Sequence, residues 1–258
     1  MFIIIMDIKS IFSLRNIIIG VVGIVLVILL IIVVSIVLKY IKKGGLLNKC
    51  ILSGSKNAKN SLVVRQSGVG PKKMVRTMAD MNKGLEFTYS CWLYINSLEY
   101  NKDREMKPVF YKSMQQELVE RDDLSESDYA PGVFLLKSNT LRVIMKTGSN
   151  AEMIDVSNIP IKKWFHFGLY IRQESMDVFI NGQMVESKRL KTPPQQNDGD
   201  IYINTYGGYD GMLSDLKFYA YAISYDKLNK IMRKGPSSSG CSSKEVPPYF
   251  NDKWWIFR

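Results

Sequence analysis

Residues 17–38 read IIIGVVGIVLVILLIIVVSIVL, twenty-two positions without a charge. No other stretch restricts its own conformation so tightly. At about 1.5 Å per residue, a helix of this length reaches roughly 33 Å, enough to cross a hydrocarbon core of about 30 Å. Ile and Val are mediocre helix formers in water. In lipid a segment must satisfy its own backbone hydrogen bonds, so helix is the expected state. Gly20 and Gly23 are spaced GxxG rather than GxxxG and carry only a weak helix-pairing signal. The competing reading is a cleaved signal peptide. The run is too long for an ordinary h-region, and Lys39, Lys42 and Lys43 follow it where a small-x-small cleavage site belongs. The segment reads as a retained single span after a short N-terminal segment, residues 1–16.

Charge orients that span. The chain has 35 Lys+Arg and 24 Asp+Glu, a net +11. Residues 85–258 hold 22 of each sign, so the first 84 residues, with 13 basic and 2 acidic groups, carry the whole excess. Lys9 and Arg15 precede the span, with Asp7; Lys39, Lys42, Lys43 and Lys49 follow it, then Lys56 and Lys59. The positive-inside rule places the richer flank, and the large domain beyond it, in the cytosol. Three cysteines (Cys50, Cys91, Cys241) form no framework for a disulfide-stapled ectodomain, and no N-x-S/T sequon occurs.

Residues 39–84 read as a basic juxtamembrane stalk rich in Gly, Ser and Asn, with one short strand at Ser61–Val64. Lys39, Lys42, Lys43 and Lys49 are its candidate contacts to anionic lipid headgroups, each contributing about 1 kcal/mol near such a surface. Nucleic acid ranks lower as a partner because the stalk lacks interleaved aromatics for base stacking. The GVGPKK run at 68–73 lacks the Walker spacing of a phosphate loop.

From Leu85 the texture changes. In EFTYSCWLYIN, Phe87, Tyr89, Cys91, Leu93 and Ile95 point one way and Thr88, Ser90, Trp92, Tyr94 and Asn96 the other, the period of a strand. Further strands are expected at 108–112, 132–137, 140–146, 164–172, 175–180, 183–186, 200–204 and 211–219. Ser138-Asn139 and Arg172–Glu174 read as turns, and Asn181-Gly182 as a type I′ hairpin. So many short strands imply an all-β, two-sheet antiparallel jelly-roll sandwich over residues 85–235. One short helix is expected near its end, N-capped by Ser224, with Leu228, Ile231 and Met232 on its apolar face and Gly235-Pro236 closing it. Residues 236–258 form an aromatic C-terminal tail. Tyr249, Phe250, Trp254 and Trp255 are expected to cover apolar surface on their own domain, or else to hold a partner.

These residues carry a resemblance. NIPIKKWFHFGLYIRQESMDVFINGQMVES (158–187) resembles the W-x-H, strand and NG-hairpin core of laminin-G-like, concanavalin A-like jelly-roll domains. GDIYINTYGGYDGMLSDLKFYAYAIS (199–224) is similar to the segment that follows in that family, and FTYSCWLYINS (87–97) to its early strand. The resemblance implies a fold shared by glycan-binding lectins, glucanases and interaction modules. More narrowly, the span, this domain, a helix ending in GP and a PPY…W tail resemble anchored proteins of large eukaryotic DNA viruses. That implies a virion internal membrane or virus-factory membrane and a minor capsid component.

Fold alone assigns no chemistry. Glucanases of this fold carry an E-x-D-x-E strand motif, which is absent here, and the acidic run Glu117, Glu120, Asp122, Asp123, Glu126, Asp128 has the irregular spacing of a solvated loop. His166, the single histidine, reads as a packing residue. Catalytic residues are therefore expected to be none. No cofactor is expected either, with calcium the one metal to weigh, on the weak candidates Asp198, Asp200 and Asp210. Each is an equally good turn former. Trp92, Tyr94, Tyr206 and Tyr209 are candidate sugar-stacking rings and equally candidate core. The sequence thus points to a non-enzymatic single-pass membrane protein. Its jelly roll binds a protein partner and tethers a membrane, a virion membrane by the narrower resemblance, to a capsid or shell. The alternative is a membrane-anchored lectin that binds a glycan, with or without calcium.

Overall fold

The computed structural model describes residues 14–42, 48–66, 85–118, 124, 126–148 and 150–237. The chain divides into two units, residues 1–46 and 47–258.

In the first unit, α1 runs over Leu14–Lys42. Its stretch Ile18–Ile36 is long and apolar enough to cross a membrane, and none of it is buried. A helix apolar on every side has no wet face, which is the pattern lipid stabilises. The helix outruns the uncharged run at both ends, because once the central turns form each further residue adds one backbone hydrogen bond. The side chains of Lys39 and Lys42, and Lys43 altogether, lie outside the described residues.

The second unit is an antiparallel sandwich. Its described strands are β1 (Asn48–Cys50), β2 (Ser55–Asn57), β3 (Leu62–Val64), β4 (Glu86–Ser97), β5 (Met106–Ser113), β6 (Gly132–Leu136), β7 (Thr140–Lys146), β8 (Ala151–Ser157), β9 (Trp164–Arg172), β10 (Ser175–Ile180), β11 (Gln183–Arg189), β12 (Asp200–Ile203) and β13 (Asp210–Tyr219). The first sheet has the order β1-β13-β4-β9-β10-β11, with β2 also paired to β13; the second has the order β3-β12-β5-β6-β7-β8. The hydrophobic alternation fixes which face turns inward. Phe87, Tyr89, Cys91, Leu93 and Ile95 of β4 meet Phe110, Val133, Leu135, Leu141 and Val143 of the second sheet in one core. Burying each such side chain contributes roughly 1.5–3 kcal/mol.

The turns obey their chemistry. Asn139, Gln173, Asn181 and Gly182 all take positive φ, the last two at 49° and 79° as a type I′ hairpin demands. A second layer covers part of the first sheet's outer face. There α2 (Tyr225–Lys234) starts at Ser224, whose side chain accepts the Lys227 N–H, and ends at Gly235. Leu228 is buried with Tyr170, Tyr219 and Ile223, while Ile231 and Met232 pack alongside.

The stalk reading is corrected for residues 48–66. They are not linker: β1 and β2 extend the first sheet along β13, and β3 extends the second along β12. Ile51, Leu52, Ala58 and Val64 enter the core from this segment. Three-residue strands flanked by Lys and Gly are too short to show a period, so their pairing is decided by the long strands they join. Lys49 is likewise in β1, opposite Phe218, and half-buried rather than on a free tether. Beyond residue 85, one strand, β8, was not expected. Its alternation is broken by Glu152, buried on the side of Ile154 and Val156, while Asp155 keeps the period on the exposed side; each carboxylate has a cation beside it. Arg142 donates to Asp155 at 2.8 and 2.6 Å, and Lys188 lies 3.4 Å from Glu152.

Candidate functional site

The outer face of the second sheet is filled by its own side chains. Tyr111 stacks on Tyr202 with centroids 5.0 Å apart, and Tyr129 and Phe134 complete the cluster. A Cβ on Gly132 would come within 2.7 Å of the Phe134 ring, so this face is packed rather than open. The described surface that combines exposed aromatics with converging polar groups is instead one end of the sandwich. There the β2–β3 turn, the β4–β5 loop and the β12–β13 loop meet.

The β12–β13 loop sets this rim. Asn204, Tyr206, Gly207 and Gly208 all take positive φ, a run that holds the loop in one tight shape. At Gly208, with φ 50°, a Cβ would lie 2.1 Å from the Ala58 carbonyl oxygen, so only glycine lets the loop close on the β2–β3 turn. The result projects Tyr206, which is 40% exposed. Its hydroxyl donates to the Gln116 carbonyl at 3.0 Å, and its own carbonyl accepts from Asn101 Nδ2 at 3.1 Å. The Arg104 guanidinium sits 5.0 Å from its ring centroid. Beside it, Lys59 Nζ lies 4.5 Å from the Tyr100 centroid and 2.7 Å from Asp210 Oδ1. Asn96 Nδ2 donates to Asp210 Oδ2 at 2.6 Å. Partial burial pulls the Asp210 pKa upward most strongly of any single influence. The hydrogen bonds from Lys59 and Asn96, with the Lys59 charge, together outweigh it and hold the carboxyl below its ordinary value.

This arrangement does not fit calcium. The ion needs six to eight converging oxygens, whereas Asp210 already holds an ammonium group. Asp200 stands at the far end of β12 and accepts the Gln66 N–H at 2.7 Å, and Asp198 is exposed in the preceding loop. The structure therefore does not bring the three aspartates together. Among the described residues no three His, Cys, Asp or Glu side chains group to hold a metal.

The other sequence candidates also disperse. Tyr209 is fully buried, its hydroxyl donating to the Met212 carbonyl at 3.0 Å. Trp92 and Tyr94 lie on the outer face of the first sheet, where their rings meet those of His166 and Trp164. Asp128 is structural, accepting from Ser113 Oγ at 2.6 Å and Met114 N–H at 2.7 Å. Glu117 is exposed, while Glu120, Asp122 and Asp123 lie outside the described residues, as do Cys241, Tyr249, Phe250, Trp254 and Trp255.

His166 has a neighbour that sequence spacing concealed. Its Nε2 lies 2.9 Å from Ser90 Oγ, seventy-six residues away in the chain. Both residues are buried, and His166 Nδ1 has no hydrogen-bond partner. A catalytic pair needs a third group to orient the base and a path for substrate; this one has neither among the described residues. Burial, and then the Lys217 charge, depress the imidazole pKa to about 4, so it is neutral near pH 7. Sequence reasoning missed Lys59, Asn96, Tyr100, Asn101 and Arg104. The Tyr206-Gly207-Gly208 triplet was the one local signal that pointed to the rim.

A laminin G family model, described as the Concanavalin A-like lectin/glucanases superfamily, matches residues 72–229. No curated protein matches the chain. Solved structures similar to it include the botulinum neurotoxin serotype G binding domain, at 9% identity and TM-score 0.47 over 74% of this chain and 51% of that one. Another is the binding domain of Paraclostridial Mosquitocidal Protein 1, at 15% identity and TM-score 0.45 over 70% and 42%. A third is the binding domain of botulinum neurotoxin DC in complex with SialylT, at 14% identity and TM-score 0.43 over 58% and 35%. The chain spans about half the length of these structures, or less.

Proposed function

The chain belongs to the concanavalin A-like lectin/glucanase superfamily, and from that premise we propose that it is a non-enzymatic binding module. In this reading α1 anchors it in a membrane, and the loop rim around Tyr206 holds a protein partner. The observation that carries the reading is the stacking of Arg104 on Tyr206 beside Lys59 on Tyr100. Tyrosine and arginine are the residues that concentrate binding energy at protein interfaces. A sugar stacks on a bare ring face, and here a cation already occupies one face of each ring. Rigid loops reduce the ordering cost of binding.

With a partner on the rim and a span in the bilayer, the molecule tethers a membrane to a protein layer. A virion membrane and its capsid shell are the pair that the narrower resemblance supports. Lys39, Lys42 and Lys43 hold the anionic lipid face in this arrangement. The test is crosslinking mass spectrometry on the full chain in its native membrane or particle. Crosslinks from Lys59 or Lys102 to one abundant shell protein, reduced at least tenfold by the Arg104→Ala, Tyr206→Ala double variant, are expected. Self-links and lipid-proximal links alone overturn the tether. Glycan-array binding that the same double variant abolishes replaces it with the lectin reading.

A further inference from the structure

The edges of the two sheets are closed to different degrees. β8 ends the second sheet, and the chain overhangs it: Lys188 Nζ donates to the Met153 carbonyl at 3.1 Å and the Lys191 N–H to Glu152 Oε1 at 2.6 Å. At the other ends of the sheets, β1, β2 and β3 have three residues each. β11 is the exception. It ends the first sheet with seven residues, six of them exposed and Lys188 half-buried. Met184 and Val185 are 58% and 41% exposed. An edge strand of this length offers a row of backbone donors and acceptors to another strand.

The ladder decides which groups face out. Gln173-Glu174 joins β9 to β10 as a two-residue turn, with Arg172 opposite Ser175. Such a turn closes on a hydrogen-bonded pair, and along an antiparallel ladder these pairs alternate with non-bonded ones. Ser175 and Asp177 therefore direct their backbone N–H and C=O to β9. Their partners on β11, Arg189 and Ser187, direct theirs outward. Leu190 has the opposite phase, its N–H turned inward to the Glu174 carbonyl at 2.7 Å.

Charge then selects the strand that fits. Lysine and glutamate along an edge normally discourage pairing. On β11 they are Glu186 and Lys188, one on each side of Ser187. Two copies of β11 set antiparallel about a two-fold axis at Ser187 place Glu186 of each opposite Lys188 of the other. An axis at Glu186 or at Lys188 would set like charges against each other. Opposite charges directly across a ladder are stabilising and like charges destabilising. Lys188 already lies 3.4 Å from Glu152 Oε2, and an ammonium group has three donors, so it serves both carboxylates. The bulge between Val178 and Phe179 leaves Val185 unpaired and ends the regular stretch there.

We propose that β11 is a self-association edge. Two copies of this chain pair their β11 strands about Ser187 and join their first sheets into one continuous sheet. Each Ser187 exchanges its outward N–H and C=O with the other copy, and two Glu186–Lys188 pairs flank them. The interface is isologous. An edge contact this short is small beside the roughly 1,000 Å² that a freely diffusing dimer needs. The pairing therefore rests on the reading of α1 as an anchor, which confines copies to one bilayer and raises their effective concentration. The paired molecule carries two rims, and a repeating protein layer held by both is bound roughly 10²–10⁴ more tightly than by one.

The experiment uses the full chain with Cys50→Ser and Cys241→Ser, reconstituted in liposomes. Ser187→Cys brings two thiols together on Cα atoms about 5.5 Å apart, within disulfide reach. With copper phenanthroline as oxidant, the disulfide-linked dimer is expected to form at least tenfold faster than from Lys230→Cys, at an exposed position on α2. Adding Glu186→Lys sets lysine against lysine. It is expected to slow the Ser187→Cys crosslink at least threefold while thermal unfolding of the domain is unchanged. Equal rates at the two cysteine positions overturn the proposal, and so does a rate indifferent to Glu186→Lys. A chain that floats with the liposomes but does not crosslink loses the pairing and keeps the anchor; one that does not float loses both. None of these outcomes alters the rim crosslinks that test the tether.

Discussion

At the residue scale, His166 gives the sandwich a pH dependence. Its ordinary pKa near 6.5 falls to about 4 on folding, because burial, and secondarily Lys217, disfavour the imidazolium. The folded state thus binds fewer protons than the unfolded one below pH 6.5. The stabilisation is complete above the unfolded value and is lost as pH falls toward the folded value. Between pH 7 and pH 4.5 this one group is expected to remove about 2 kcal/mol of stability. Urea unfolding at the two pH values measures it. A His166→Gln variant should show a fall smaller by that amount; an equal fall in both proteins would refute the assignment. Gly208 makes a separate demand at the rim. An alanine there meets both a positive φ and a carbonyl 2.1 Å away, so Gly208→Ala is expected to destabilise by about 3 kcal/mol. It should also weaken partner capture at Tyr206 under conditions where the domain remains folded, as shown by unchanged far-UV circular dichroism.

At the element scale, α2 and the β8–β11 edge test how the layers are held. Ser224 caps α2 through its bond from Lys227 N–H, and Asp226 in the first turn and Arg233 and Lys234 in the last suit the helix dipole. Ser224→Ala is expected to cost about 1 kcal/mol, seen as faster amide exchange in α2 with β4 and β9 unaffected. Uniform acceleration across both strands would mean that the helix does not open separately. Across the sandwich, Glu152 of β8 receives the Lys191 N–H at 2.6 Å and the Lys188 ammonium, which also donates to the Met153 carbonyl. This polar clasp is why β8 was illegible in sequence: its glutamate has meaning only once β11 is beside it. The long strands β4, β9 and β10 were legible because alternation of aromatic and branched residues persists over six or more positions. The strands β1 and β2 were not, since three residues cannot display a period and their register is imposed by β13; β3 was expected at Ser61–Val64 and runs over Leu62–Val64. The rim was the least legible. Lys59, Arg104 and Tyr206 come from three loops that no spacing rule relates, and only the folded strands bring their side chains together.

At the scale of the whole molecule, the basic flank that follows α1 and the sandwich beyond it lie on one chain, and the proposed tether requires both on the same side of the membrane. The cysteines report that side. Cys50 lies in β1, eight residues beyond the end of α1, and is exposed. Cys91 is buried in the core, and burial pushes its thiol pKa far up, so it offers neither access nor thiolate. In a Cys241→Ser background, a membrane-impermeant maleimide therefore reads Cys50 alone while the domain is folded. By the positive-inside rule, the tether proposal expects Cys50 in the cytosol. Intact cells expressing the full chain are then expected to show no labelling, and selective permeabilisation of the plasma membrane should raise it at least tenfold. Cys91 should label only after denaturation. Labelling of Cys50 in intact cells would put the sandwich outside. The rim would then face extracellular glycans and proteins, and the shell tether would be untenable. Labelling of Cys91 in the folded protein would instead contradict the core packing around β4, independently of topology.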